Sequence, residues 1–123
     1  MADKILIVDD DPAICKLLEK VMHSNELETT TVNCGMDALS ILKNHTFDLI
    51  LMDIQMPNMD GYRATEMIRG LSDKDKATIP IIAMTANAFE EDRKKALAKG
   101  MNGHIAKPVD AEKVKKTILS ALR

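Results

Sequence analysis

Residues 49–53, Leu-Ile-Leu-Met-Asp, form an unbroken apolar run that ends on a carboxylate. A run this short, with no polar alternation, reads as a parallel strand buried on both faces. Three further runs repeat the pattern. Ile5-Leu6-Ile7-Val8 leads into Asp9, Asp10 and Asp11, Ile81-Ile82-Ala83-Met84 into Thr85, and His104-Ile105-Ala106 into Lys107. In an open parallel sheet the functional crevice lies beyond the carboxyl ends of the strands. Carboxylates, a hydroxyl and an ammonium from distant parts of the chain therefore converge there. Clustered acids facing one lysine make a site for a divalent cation and a phosphoryl group.

Working outward, strand and helix patterns alternate five times. The first strand spans about Lys4–Val8. The helix after it opens at Pro12, a residue suited to a first helical position, and offers Ile14, Leu17, Leu18, Val21 and Met22 to the core. The second strand, near Glu28–Val32, is threonine-rich, as an edge strand would be. A helix after Gly35 turns Ala38, Leu39, Ile41 and Leu42 inward, and another from Gly61 carries Ala64, Met67 and Ile68. Residues 70–78 read as a polar surface loop, followed by a strand over 79–84. The helix expected over 88–99 has a thin apolar face (Phe89, Ala96, Leu97), which predicts loose attachment, and it ends at Gly100, a good C-terminal cap. A last strand over 103–106 and a helix over 111–122 complete the pattern. Five βα units predict a doubly wound α/β sandwich with right-handed crossovers and five helices, one domain over residues 1–123.

Composition narrows the function. A net charge of -2 and only three aromatics, Phe47, Tyr62 and Phe89, provide neither a basic footprint nor a stacking platform for nucleic acid. No apolar run approaches a membrane span, and Met1-Ala2-Asp3-Lys4 enters a strand directly, without a signal peptide pattern. Cys15 and Cys34 fit no metal or redox spacing and read as reduced thiols. The expected compartment is the cytoplasm.

Each acid has a structural and a chemical reading. Asp11, just before Pro12, reads as a helix cap, but capping does not account for three consecutive aspartates. Adjacent like charges repel unless a cation offsets them, and Mg²⁺ held by one or two carboxylates, waters and a phosphate would do so. Asp10 is expected to bind directly, and Asp9 directly or through water. Asp53 ends the central run, and a loop stiffened by Pro57 and released by Gly61 follows it. Such a carboxylate can act as nucleophile on phosphorus and form an aspartyl phosphate. The backbone carbonyl of Gln55 is placed to reach the same ion, while Asp60 reads as a cap. The Thr85 hydroxyl can donate to a phosphoryl oxygen. Lys107, beside carboxylates, needs either Asp53 or phosphoryl oxygens as partner.

These residues carry a resemblance. Ile-Leu-Ile-Val-Asp-Asp-Asp-Pro at 5–12, Leu-Met-Asp-Ile-Gln-Met-Pro-Asn-Met-Asp-Gly at 51–61, Ala-Met-Thr-Ala at 83–86 and Lys107-Pro108 are similar to the receiver domains of two-component response regulators, in order and along the whole chain. The resemblance implies a flavodoxin-like strand order 2-1-3-4-5, which general fold rules illustrate with the chemotaxis receiver itself. It also implies that Asp53 is the phosphoacceptor and that Mg²⁺ is bound by Asp9, Asp10, Asp53 and the Gln55 carbonyl. Thr85, Ala86 and Lys107 then contact the phosphoryl group, and Lys107-Pro108 is cis. The implied partners are a histidine kinase or histidine phosphotransfer domain and a downstream protein or linked domain. Receivers usually place Tyr or Phe three residues before the lysine as a rotamer switch, and here His104 stands there. It is either a titratable substitute for that switch or a half-buried strand residue.

An enzyme is the rival class. Asp9-x-Asp11 with Thr85 and Lys107 is similar to haloacid-dehalogenase-type phosphatases, but those need acidic ligands after the lysine. Only Asp110 and Glu112 follow it, at an apparent helix start, and Asp53 would have no role. A flavin or nucleotide carrier would need a phosphate loop that is not present. The stretch at 82–88 and the loop at 70–78 lean towards receivers of hybrid kinases rather than stand-alone ones.

Overall fold

The computed structural model describes residues 2–86 and 89–122. Five parallel strands, β1 (Lys4–Val8), β2 (Glu28–Val32), β3 (Leu49–Asp53), β4 (Ile81–Thr85) and β5 (Gly103–Ala106), form one sheet in the order β2-β1-β3-β4-β5. This is the flavodoxin-like order expected. β3 and β4 are buried at every residue, which is why their sequences show no alternation. The threonine-rich β2 lies at one edge and is only partly buried.

Six helices cover the sheet among the described residues: α1 (Pro12–Ser24), α2 (Gly35–Leu42), α3 (Gly61–Arg69), α4 (Lys74–Ala77), α5 (Glu90–Ala98) and α6 (Ala111–Ala121). The expectation of five is thus corrected by one. α4 is a single turn within the stretch read as loop, and it forms because the Asp73 carboxylate accepts from the amides of Asp75 and Lys76. β4 starts two residues later than expected, because Pro80 has no N–H to give to a ladder.

The two faces of the sheet bury separate cores. Leu6, Val8, Ile50 and Met52 pack with Ala38 and Leu42 of α2, Ala64 and Ile68 of α3, and Ala96 of α5. Ile5, Ile7, Leu49 and Leu51 pack with Cys15, Leu18 and Met22 of α1 and Val114 and Ile118 of α6. Leu17 and Met67, both expected inside, sit beside these stripes and are more than one-third exposed. On α5 the correction is larger: Phe89 is 67% exposed and Leu97 46%, so Ala96 alone is buried there. The helix start expected at residue 88 lies outside the described residues.

Register aligns the carboxyl ends. Val8 pairs with Met52, Asp53 with Met84, and Thr85 with Ala106. The residues that follow or end β1, β3, β4 and β5 therefore share one rim.

Candidate functional site

That rim gathers the acids. One carboxylate oxygen each from Asp9, Asp10 and Asp53 lies within 4.8 Å of the others. Asp9 and Asp53 are buried, at 0% and 2% exposure, and Asp10 is exposed. Asp9 Oδ1 accepts from the Asp11 amide at 2.9 Å, whereas its Oδ2 is buried and accepts no hydrogen bond from the described residues. Lys107 Nζ stands 3.3 Å from that Oδ2 as an ion-pair partner and donates to Asp53 Oδ1 at 3.1 Å. Asp53 Oδ1 also accepts from the Gln55 amide at 3.3 Å.

Lys107 thus pairs with the two buried members of the acid cluster, and the electrostatics follow. Burial, then the charge of Asp9, push the Asp53 carboxyl up to about 6, although the Lys107 hydrogen bond and charge and the Gln55 amide pull it down. Burial opposes the Lys107 ammonium, but the hydrogen bond and charge of Asp53, together with Asp9, outweigh it and raise its pKa. Nearby, burial and then Asp9 push the Cys15 thiol up to about 11, so it stays protonated as a core group whose Sγ faces the Asp9 carbonyl at 3.5 Å.

The cleft suits a hard divalent cation. A buried carboxylate oxygen lacking a hydrogen bond, inside an all-oxygen donor set with excess negative charge, is the arrangement such an ion neutralises. Asp9, Asp10 and Asp53 are the residues placed to hold it.

The remaining expected residues fall around these. Thr85 is buried at the end of β4, and its carbonyl accepts from the Lys107 amide at 2.7 Å, which ties the lysine to the strand beside Asp53. Lys107-Pro108 is cis. Ala86 is exposed just beyond Thr85. His104 is half-buried on β5 and pairs in register with Ala83. Because Ile105 joins the α1–α6 core, alternation turns His104 to the face that carries α5. Asp11, Asp60 and Asp110 are helix caps, accepting from the amides of Ala13, Arg63 and Glu112.

Gly61 has a role that its sequence context did not disclose. A Cβ there would lie 2.3 Å from the Asp53 carbonyl oxygen and 2.9 Å from Ile54 Cα, while its amide donates to the Ile54 carbonyl at 2.9 Å. The start of α3 is thereby pressed directly onto the backbone of Asp53. The available signal was a glycine immediately after a capping aspartate, where a better helix former is usual.

Sheet order and cleft together define a flavodoxin-like α/β module with an acid-and-lysine site at its carboxyl rim. The sequence model of the response regulator receiver domain matches residues 5–119, and the chain belongs to that family. Among curated proteins it is 41% identical over 114 residues to the sensor histidine kinase RcsC of Escherichia coli K12, covering 93% of this chain and 12% of that protein. It is 34% identical over 119 residues to the sensor protein GacS of Pseudomonas syringae, covering 96% and 13%. The chain therefore spans 12–13% of the length of these relatives. Among solved structures, the Vibrio cholerae chemotaxis response regulator CheY4 superposes with a TM-score of 0.91 at 26% identity, covering 98% of this chain and 99% of that one. The receiver domain of sensor histidine kinase PA1611 from Pseudomonas aeruginosa superposes with a TM-score of 0.88 at 34% identity, covering 99% and 98%, and holds a magnesium ion in its active site cleft. This chain is a receiver domain homologous to those of sensor histidine kinases, a signalling module of phosphorelay systems. None of its described helices is long and apolar enough to cross a membrane.

Proposed function

We propose that Asp53 is the residue that takes up the phosphoryl group, from the phosphohistidine of a histidine kinase or phosphotransfer domain. The observation that carries this is a buried carboxylate at the end of the central strand, with Lys107 on Oδ1 and two further acids within 4.8 Å. Oδ1 is occupied by Lys107 and Gln55, so Oδ2 makes the attack. A new O–P bond forms, the P–N bond breaks, and the donor imidazole leaves with its electron pair. Asp9, Asp10 and Asp53, with the Gln55 carbonyl, would hold Mg²⁺, which supplies charge neutralisation for the incoming phosphoryl oxygens. Lys107 pairs with those oxygens by a charged hydrogen bond and Thr85 by a neutral one.

In this reading the chain acts as a single unit over residues 1–123 and catalyses nothing beyond its own phosphorylation and dephosphorylation. The added charge draws Thr85 and Lys107 inward and shifts α5, altering the face that meets a downstream protein or linked domain. His104 stands on that side of the sheet and takes part in the switch. Two free cysteines support placement in the reducing cytoplasm. The test is incubation with Mg²⁺ and acetyl phosphate. One acyl phosphate, labile to hydroxylamine, is expected in the wild type and none in Asp53→Asn. Phosphate that persists in Asp53→Asn but is lost from Asp9→Asn overturns the assignment.

A further inference from the structure

The loop between β3 and α3 leaves and returns at one point: the Gly61 amide closes it on the Ile54 carbonyl at 2.9 Å. Its outer turn is tight. The Met59 amide bonds back to Pro57 at 2.8 Å across Asn58, whose φ of 70° lies in the left-handed region that asparagine tolerates. A loop closed at its base and stiff at its tip tilts as one body. Buried Met56 anchors it near the base. At the tip, half-buried Met59 reaches across to Gly35, the first residue of α2.

The fit there has no slack. A Cβ on Gly35 would lie 2.8 Å from Met59 Sδ, 3.2 Å from Met59 Cγ and 3.2 Å from Ala64 Cβ. Gly35 itself stands just beyond β2, whose last carbonyl, on Val32, accepts from the Asp9 amide at 3.2 Å. The contact therefore joins two halves of the cleft: the corner that fixes Asp9 and the loop that carries Gln55.

We propose that Met59 is a positioning residue, its thioether seated on the bare backbone of Gly35 so that the Gln55 loop stands at a set distance from Asp9 and Asp10. The inference rests on the reading of this cleft as a metal-assisted phosphoryl site. A thioether suits the task because it is flexible and packs closely on an irregular backbone surface. Gly35→Ala sets a methyl against Met59 Sδ and Cγ and against Ala64 Cβ rather than against backbone, so the thioether is driven off its seat without loss of the fold.

Four variants test it: Gly35→Ala, Met59→Ala, the two combined, and Met59→Leu. Mg²⁺ binding is followed by the amide shifts of residues 53–60, the phosphorylation rate with acetyl phosphate at saturating Mg²⁺, and stability by thermal unfolding. Each single alanine variant is expected to weaken Mg²⁺ binding about tenfold, the scale set by loss of a supporting residue around a metal site. Combined, they are expected to do no more than Met59→Ala alone, because the new methyl occupies space that the thioether vacated. Met59→Leu stays near wild type. Effects that multiply in the double variant overturn the proposal. So does a pair of single variants that melt earlier yet bind Mg²⁺ and react as wild type does. Phosphorylation at a residue other than Asp53 overturns the assignment of the acceptor instead, whatever the Mg²⁺ titrations show.

Discussion

α3 and α5 are both nine residues long and cover the same face of the sheet, yet they are held in opposite ways. α3 buries Gly61, Tyr62, Ala64, Thr65 and Ile68 and is fixed at both ends. Its start is capped by Asp60 and pressed on Asp53, and its end carries Arg69, which donates to the carbonyls of Gly100, Ala77 and Ile79 and to Asn102 Oδ1, each at 2.8 Å. α5 buries Ala96 alone, and its N-cap, Phe89, makes no side-chain capping bond. Two of its contacts with α3 run through solvent-facing lysines: Lys99 lies 3.5 Å from Glu66, and Lys95 stands 4.6 Å above the ring of buried Tyr62. Exposed contacts of this kind contribute little. The far end of α5 is secured where Gly100, at φ 103°, closes a Schellman turn through Met101 N–H to Ala96 O and Gly100 N–H to Leu97 O. The rigid helix braces the backbone of Asp53 at the end of β3, while the other buries a single residue. Elements that move are drawn from the low-stability end of a fold.

The largest effect is expected where the comparison is sharpest. Ile68→Ala on α3 removes a fully buried side chain and should cost about 3–4 kcal/mol in urea unfolding, whereas Leu97→Ala on α5 should stay within about 0.5 kcal/mol. Comparable losses at the two sites would show that α5 is as tightly packed as α3. Next comes Arg69→Ala, at about 2–3 kcal/mol, because it takes the donor from several partly buried acceptors at once. No carboxylate among the described residues pairs with this guanidinium, and burial lowers its pKa. The loss should therefore be insensitive to salt, unlike that of an ion pair.

Asp53 measures what the rigid half stores. With a folded pKa of about 6 against about 3.9 unfolded, the native state binds more protons between those values, so its stability falls as pH rises through that window. Above pH 6 the cost of the buried charge is fully present. Asp53→Asn removes it and should raise stability in Mg²⁺-free buffer by about 2 kcal/mol at pH 7.5, a gain that vanishes below about pH 4. A gain of the same size at both pH values would locate the effect in packing rather than in charge.

The same contrast explains what could be read from sequence. β1, β3 and β4 were legible because a strand buried on both faces must be apolar throughout, and their ends named Asp9, Asp53 and Thr85 without further help. α4 was missed because a single turn has no periodicity; its only mark is Asp73 placed to cap Asp75 and Lys76. Phe89 and Leu97 were misplaced because apolar residues on a sparse helix were assumed to face inward, and a helix with one buried residue has no such rule to obey. Arg69 was illegible in kind. Its acceptors come from two segments, 77–79 and 100–102, that only the fold brings beside α3, and three of the four are backbone carbonyls, which leave no signature in a sequence.

The smallest predicted effect tests the loose half directly. Phe89 occupies the N-cap of α5 and accepts from the Asp92 and Arg93 amides through its carbonyl alone, with no side-chain acceptor, and at 67% exposure it has little packing to lose. Phe89→Ser places a hydroxyl where the amides of Glu91 and Asp92 begin the helix, and an added cap is worth about 0.5–1 kcal/mol. Hydrogen exchange at those two amides should slow by about two- to fivefold, the conversion of that energy at 25 °C. Exchange in α3 should not change, because nothing at its ends is touched. The cap also opposes the displacement of α5, so amide shifts over residues 89–96 on adding beryllofluoride should shrink, while those around Asp53 remain. If the Glu91 and Asp92 amides are already as protected in the wild type as those of α3, the serine has nothing to add. The difference between the two helices would then lie in their surfaces and not in their stability.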